Sequence, residues 1–233
     1  MLQRPIRYVY FDLDDTLLDH RHAESEALEA LHADADTPFD PHTLADVRQA
    51  YREINPSIWK EYAAGDLTKV QAKVGRFTRL LSRLDLDPAG KDVSLADRYL
   101  SHYSNHWRLL PGALDAFEAI AAAYPVGIMT NGFVEMQTAK LKQFDQLATT
   151  STSVVISEEV GVLKPHPALF QEASRRAGFA AAEILYVGDS LHSDVEGGLG
   201  AGWQVAWFSE QSHDHADVYS FTDWDDLVKL LTS

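Results

Sequence analysis

Short strand-like runs alternate with helix-like segments of about ten residues over the second half of this 233-residue chain. Apolar, β-branched runs predict strands at residues 6–11, 126–129, 153–156, 184–187 and 205–208. Apolar residues spaced three or four apart predict helices at residues 114–123, 134–144, 167–177, 194–199 and 225–231. This alternation is typical of parallel strands joined by right-handed crossover helices. The chain is therefore predicted to be α/β, with a parallel sheet covered by helices on both faces.

The first strand is separated from the others by a segment with helical periodicity throughout. Apolar residues recur at helical spacing in four stretches, which are divided at Pro38, Pro41, Gly65 and Pro88. We therefore expect an all-helical cap at residues 18–108, inserted into an α/β core formed by residues 1–17 and 109–233.

Composition limits the partners that such a protein can have. The chain carries 20 Lys and Arg against 35 Asp and Glu, a formal net charge of −15. A nucleic-acid binder needs a basic patch, and so does a protein that docks on an anionic membrane, so we expect neither partner. An anionic substrate remains possible only where a metal ion or a local cation reverses the field. Whether the acidic surface reflects salt adaptation or coding drift stays open.

The chain contains no cysteine, which excludes disulfides, thiolate metal sites and cysteine nucleophiles. Its N-terminus lacks the form of a secretory signal peptide, and no apolar run reaches the length of a membrane helix. We therefore expect a soluble cytoplasmic protein. Nothing in the sequence indicates its oligomeric state.

Polar residues follow the predicted strands at the points where ligands bind in open parallel sheets. They are Asp12 and Asp14 after the first strand, Thr130 and Asn131 after the second, Lys164 after the third, and Asp189 with Asp194 after the fourth. Carboxylates gathered at one edge repel one another unless a cation joins them. An oxygen-only set suits Mg²⁺, which favours sites that a substrate phosphate completes. The sequence therefore predicts a magnesium site that takes a small phosphorylated substrate.

These residues resemble the four motifs of the haloacid dehalogenase superfamily, in the family's order. The matching strings are Asp12-Leu13-Asp14-Asp15-Thr16-Leu17, Thr130-Asn131-Gly132, Lys164-Pro165 and Gly188-Asp189-Ser190-x-x-x-Asp194. The resemblance covers the core as far as about Phe208 and implies a Rossmann-like sheet. The longer strings around Lys164 and Asp189 resemble the bacterial pyrimidine 5′-nucleotidase branch.

The resemblance implies a role for each residue. Asp12 would be the nucleophile that forms an aspartyl-phosphate, and Asp14 would protonate the leaving group and then activate water. Asp12, Asp189 and the backbone carbonyl of Asp14 would hold Mg²⁺. Thr130, Asn131 and Lys164 would bind phosphate oxygens, and Asp194 would orient Lys164 and the metal's waters.

Three other activities are weighed against a phosphomonoester hydrolase that acts on small phosphates, plausibly nucleoside 5′-monophosphates. A sugar-phosphate mutase would share every core residue, and would pass the phosphoryl group to a hydroxyl instead of water. A non-catalytic binding protein predicts a lost nucleophile or acid, yet Asp12 and Asp14 are both present. A dehalogenase expels halide and needs no acid for the leaving group, so Asp14 argues against it.

One helix of the insert carries a row of basic residues. They are Lys69, Lys73, Arg76, Arg79 and Arg83. Such a row is typical of a solvated helix face. The alternative is a surface that steers a polyanionic substrate or contacts a partner.

Overall fold

The computed structural model describes residues 5–88 and 90–232. Residues 1–4 and 233 of the predicted core and residue 89 of the predicted insert lie outside these ranges. The chain divides into two compact units. One is the helical unit, His20–Arg108; the other, which we call the sheet unit, runs up to Asp19 and resumes at Leu109.

The sheet unit is built on six parallel strands, which confirms the predicted α/β class. In chain order the strands are β1 (Tyr8–Phe11), β2 (Val126–Thr130), β3 (Ser153–Ile156), β4 (Ile184–Gly188), β5 (Gln204–Phe208) and β6 (Val218–Phe221). Their order in the sheet is β3-β2-β1-β4-β5-β6. Val9 of β1 pairs with Val126 on one side and with Leu185 on the other. The first strand of the sequence is thus a central strand of the sheet.

Helices connect these strands. They are α5 (Ala113–Ala121), α6 (Val134–Gln143), α7 (Asp145–Thr150), α8 (Ser157–Val160), α9 (Pro167–Ala177), α10 (Gly197–Gly200) and α11 (Trp224–Thr232). Strand β6 and the short helices α7 and α8 were not predicted. The run Val218–Phe221 is only partly buried over three of its four residues, so it lacks the continuous apolar signal of a central strand. Among the described residues, no helix combines the length and apolar character needed to cross a bilayer.

The two faces of the sheet carry separate apolar clusters. Val9 and Phe11 point to one face and pack with Phe117, whereas Tyr8 and Tyr10 point to the other and pack with Trp203. All four β1 residues are buried, as the alternation of side chains requires when helices cover both faces.

The helical unit contains α1 (His20–Ala33), α2 (Leu44–Ala64), α3 (Lys69–Arg83) and α4 (Asp92–Asn105). Helices α2 and α3 each begin with a capping box, at Thr43 and at Thr68, where a threonine hydroxyl and the side chain three residues later exchange hydrogen bonds with the backbone. Tyr51, Phe77 and Tyr99 bring their rings within 5.3–5.9 Å of one another in the core of this unit.

The prediction that the basic residues of α3 form a solvated row is wrong for Arg76. This residue is buried, and its guanidinium donates to the hydroxyl of Tyr51 at 3.1 Å. Arg79 forms two hydrogen bonds of 2.6 Å with Glu61 of α2. Arg76 lies on the same face as Phe77 and Leu80, because apolar contacts on the inner side of α3 outweigh the pattern of charges. Of this row, Arg76 therefore lies in the core, while Arg79 and Arg83 form ion pairs with Glu61 and Glu53 of α2.

Candidate active site

The residues predicted to carry the chemistry lie at the carboxyl ends of the strands. Asp12 and Asp14 follow β1, Thr130 ends β2 and Asn131 follows it, Asp189 follows β4, and Lys164 lies between α8 and α9. The backbone N–H of Asp12 donates to the carbonyl of Val187 in β4 at 2.8 Å. The first and fourth motifs are thereby joined across adjacent strands, at the sheet edge where ligands bind in this fold class.

Lys164 lies at the centre of a buried polar cluster. Its Nζ donates to Asp12 Oδ1 at 2.7 Å, to Asp194 Oδ1 at 2.8 Å and to the hydroxyl of Tyr186 at 2.7 Å. An ammonium group has three N–H donors, so these three acceptors use all of them. The Tyr186 hydroxyl in turn donates to the carbonyl of Met129 at 2.8 Å. Lys164 is therefore held in one position by its neighbours.

Burial and like charges dominate the electrostatics of Asp12. Burial raises the pKa of Asp12 well above its ordinary value, the charges of Asp194 and Asp189 raise it further, and Lys164 opposes both. Burial would lower the pKa of Lys164, but the charges of Asp12 and Asp194 outweigh burial and raise it. One ammonium group thus compensates the charges of several carboxylates. A further positive charge at this point would therefore favour the ionised form of Asp12.

Three carboxylates of this cluster could hold a cation. Asp12, Asp189 and Asp194 each offer one oxygen, and these oxygens lie within 4.8 Å of one another. The donors are all oxygen, and burial, together with the neighbouring charges of Asp194 and Asp189, raises the pKa of Asp12. Both properties fit a hard divalent cation. Among the residues that the structure describes, the side chain of Asp14 is not in this group.

Backbone geometry brings Asp194 into the cluster. A π-helical segment, Leu191–Glu196, begins three residues earlier than the predicted helix at 194–199, because the Ser190 hydroxyl accepts from the N–H of Ser193 at 3.1 Å. The N–H of Ser190 donates to Asp194 Oδ2 at 2.9 Å. A Cβ at Gly188 would overlap the Asp194 side chain, so only glycine permits this approach at the end of β4.

The second motif is tied to the loop that carries Lys164. Asn131 Oδ1 accepts from the backbone N–H of Lys164 at 2.7 Å, and Asn131 Nδ2 donates to the Lys164 carbonyl at 3.2 Å. The hydroxyl of Ser157 accepts from the N–H of Gly132 at 3.0 Å and so supports the loop that follows β2. These bonds hold the chain directly after Thr130, whose hydroxyl is one of the groups predicted to bind phosphate.

Asp14 has partners that the sequence did not predict. Lys140 Nζ lies 2.7 and 2.8 Å from its two carboxylate oxygens, and Gln137 Nε2 lies 2.9 Å from Oδ2. Gln137 Nε2 also donates to the Thr130 hydroxyl at 2.6 Å. Gln137 and Lys140 are three residues apart on α6, a spacing that places two polar side chains on one helix face. In the sequence, this spacing is the signal that could have identified Gln137 and Lys140 as partners of a site residue. Lys142 is a second lysine close by, so the sequence does not show which of the two lysines reaches Asp14.

The predicted site residues fall into two groupings. In the first, Lys164 binds Asp12 and Asp194, the partly buried Asp189 lies close to these two carboxylates, and Asn131 binds the backbone of Lys164. Asp14 and Thr130 are joined to each other through Gln137.

Comparison with known proteins identifies the family. The family model of haloacid dehalogenase-like hydrolases matches residues 6–202. The chain belongs to this family. The predicted resemblance is thereby confirmed, and the chain is an enzyme of the hydrolase class.

Two relatives and one solved structure match nearly the whole chain. The chain is 31% identical to pyrimidine 5′-nucleotidase YjjG of Escherichia coli strain K12, over 96% of this chain and 97% of that protein. It is also 31% identical to pyrimidine 5′-nucleotidase PynA of Streptococcus pneumoniae, over 93% and 92%. The putative hydrolase YfnB of Bacillus subtilis, solved bound to magnesium, superposes with a TM-score of 0.85 at 27% identity, covering 99% of this chain and 100% of that one.

Proposed function

We propose that this protein is a Mg²⁺-dependent phosphomonoester hydrolase that acts through an aspartyl-phosphate on Asp12. The observation that carries the proposal is the buried Asp12 carboxylate, 2.7 Å from the Lys164 ammonium and grouped with Asp189 and Asp194. A buried carboxylate beside a fixed cation and a candidate metal site is suited to attack on a phosphate dianion.

Each residue has a task in this reaction. Asp12 attacks phosphorus, and Asp14 gives a proton to the leaving oxygen and later takes one from water. The Thr130 hydroxyl and the Asn131 backbone N–H bind phosphate oxygens. Lys164 donates to the same oxygens after it gives up one of its three present acceptors. Asp194 and Tyr186 keep the Lys164 ammonium in place.

Magnesium would be held by the carboxylates of Asp12 and Asp189 and by the backbone carbonyl of Asp14, with Asp194 beside it. When bound, it offsets the repulsion between Asp12 and the incoming phosphate and stabilises the charge of the transition state. The magnesium-bound relative from Bacillus subtilis supports this choice of cation.

We propose nucleoside 5′-monophosphates as the first substrates to test, because two relatives that match over nine-tenths of the chain are named pyrimidine 5′-nucleotidases. We also propose that residues 18–108 act as the cap that selects the leaving group, and that residues 1–17 and 109–233 carry the chemistry.

The test is a phosphate-release screen over nucleoside 5′-monophosphates, sugar phosphates and small phosphoesters. Wild-type protein is assayed with MgCl₂ and with EDTA, beside Asp12→Asn and the matched surface variant Asp115→Asn. We expect EDTA to stop turnover, MgCl₂ to restore it, and Asp12→Asn alone among the variants to abolish it. Full activity in EDTA, or near-normal activity of Asp12→Asn, contradicts the proposal. Substrate loss without phosphate release would identify a mutase.

A further inference from the structure

Asp14 is bound on both carboxylate oxygens by side chains from α6. Lys140 contacts Oδ1 at 2.7 Å and Oδ2 at 2.8 Å, and Gln137 contacts Oδ2 at 2.9 Å. Gln137 and Lys140 are 1% and 3% exposed. The Asp14 side chain is 25% exposed, so these contacts are partly shielded from the water that would otherwise weaken them.

The same helix also holds the loop after β2. The Gln137 amide donates to the Thr130 hydroxyl at 2.6 Å and to the Asn131 carbonyl at 3.2 Å. A Cβ on Gly132 would lie 2.9 Å from the Gln137 side chain, and Gly132 has a φ of 152°. Glycine at this position lets Gln137 lie against the loop. The Gln137 side chain thus links Asp14, which follows β1, to Thr130 and Asn131 at the end of β2.

A buried lysine loses hydration, and an apolar side chain of similar volume would fill the same space without that loss. Lys142, two residues further along α6, is exposed. The helix therefore buries one lysine of the two, at the position where its ammonium meets a carboxylate. What the buried ion pair supplies is a fixed orientation for that carboxylate.

We propose that Lys140, supported by Gln137, is a positioning residue that orients Asp14 for proton exchange with the leaving group. This inference rests on the proposed function. Lys140 acts through Asp14 and does not itself touch the substrate.

A carboxyl group keeps acceptor capacity when one of its oxygens carries a proton. Asp14 can therefore hold a proton for the leaving group while the side chains of Lys140 and Gln137 still fix its orientation.

The proton balance then follows for both half-reactions. When Asp12 forms its bond to phosphorus, the bond between phosphorus and the leaving oxygen breaks, and the Asp14 carboxyl gives that oxygen its proton and becomes a carboxylate. When water attacks the phosphorus, the Asp14 carboxylate takes a proton from the water and the Asp12–phosphorus bond breaks.

The test compares two leaving groups. p-Nitrophenolate departs without a proton, whereas an alkoxide such as that of glycerol 3-phosphate or a nucleoside 5′-monophosphate needs one. We expect Lys140→Met to lower kcat/KM for the alkyl phosphate about 100-fold and for p-nitrophenyl phosphate less than about fivefold. Lys140→Arg should recover part of the loss, and the matched variant Lys142→Met should change neither value. Equal losses on both substrates would overturn the inference, because they indicate a structural role.

A second pair of variants removes the risk that an unpaired Asp14 impairs folding. Adding Lys140→Met to Asp14→Asn leaves no uncompensated charge, and should lower kcat/KM by less than about twofold relative to Asp14→Asn. A further tenfold loss would mean that Lys140 acts by another route.

Asp14→Asn alone separates this inference from the proposed function. If this variant lowers kcat/KM equally for both substrates, the proposed role of Asp14 in proton transfer is wrong, whatever Lys140 does. A crystal structure of Lys140→Met gives a readout without turnover: we expect the Asp14 side chain to leave its present rotamer. An unchanged Asp14 in that structure overturns the positioning role, whatever the protein hydrolyses.

Discussion

The two units use charged side chains in different ways. In the sheet unit, the side chains of Lys164 and Lys140 are 2% and 3% exposed, and both contact carboxylates. In the helical unit, the Arg79–Glu61 pair is 41% and 35% exposed and the Arg83–Glu53 pair is 61% and 47% exposed. Exposed pairs contribute little to stability, whereas a buried charge that is left without any partner of opposite charge carries a large cost. The Lys164 and Lys140 ion pairs of the sheet unit are those of the proposed active site.

Removing Lys164 should give the largest effect. In Lys164→Met, the carboxylates of Asp12 and Asp194 stay buried without their cation, so we expect unfolding to become easier by about 3–5 kcal/mol. Turnover should fall at least about 100-fold, because a fixed donor to the phosphate is lost. Denaturant titration and steady-state kinetics measure the two effects, with the exposed Lys142→Met as control. A variant as stable as the control would contradict the comparison.

Asp12→Asn should behave in the opposite way. Burial, with help from Asp194 and Asp189, raises the pKa of Asp12 in the folded protein, so the wild type loses stability as pH rises from the unfolded pKa, about 3.9, through the folded one. Asparagine does not ionise, which removes that loss. In EDTA at pH 7.5 we expect the unfolding temperature to stay equal or rise by a few degrees. A fall as large as that of Lys164→Met would assign Asp12 a structural role.

Asp34 offers a smaller effect in the helical unit. The hydrogen bond from His102, followed by that from Arg98, lowers the pKa of Asp34. Its contribution is therefore present above the unfolded pKa, about 3.9, and is lost as pH falls through the lower folded value. The side chain is 27% exposed, so we expect Asp34→Asn to cost at most about 1 kcal/mol at pH 6.

Thermal unfolding of Asp34→Asn and wild type from pH 6 to pH 2 measures this difference. The two curves should converge at the acid end, whereas the exposed Asp40→Asn should follow the wild type throughout. A difference that stays constant with pH would show that the ionised form of Asp34 is not responsible.

Glu61→Gln should have the smallest effect. Its two 2.6 Å bonds with Arg79 are well formed, but both side chains face solvent, which screens their charges. We expect the unfolding temperature to change by less than about 2 °C and phosphatase kinetics to stay the same. A shift of several degrees that disappears in 1 M salt would show that surface pairs stabilise the helical unit after all.

Much of the fold was predictable because each strand carries a local signal. Strand β4 and helix α9 lie where the apolar run and Pro167 placed them, since a buried strand is continuous in apolarity and proline favours the first turn of a helix. Strand β6 was missed because three of its four residues are only partly buried, so its sequence lacks a continuous apolar run. The spacing of α3 did not show which basic residue its neighbours would enclose, so Arg76 was misplaced.

The site was predictable in part for the same reason. Asp12, Lys164 and Asp189 follow strands, and their proximity follows from the sheet order. Tyr186 and Lys140 reach the site from the interior of a strand and of a helix. Whether these two side chains reach the site depends on the distance from β4 and α6 to the loops that carry the motifs. A local sequence pattern does not predict that distance.

The place of β1 in the sheet has a consequence for the order in which the protein folds. Val9 pairs with Val126 and Leu185, so this central strand has no partner until at least 117 further residues have been made. At about 5–20 residues per second, that interval lasts roughly 6–23 s. The helical unit, whose own contacts fall within His20–Arg108, is complete by then. During synthesis, β1 therefore stays without a strand partner while the whole helical unit is made, and the sheet can form around it only afterwards.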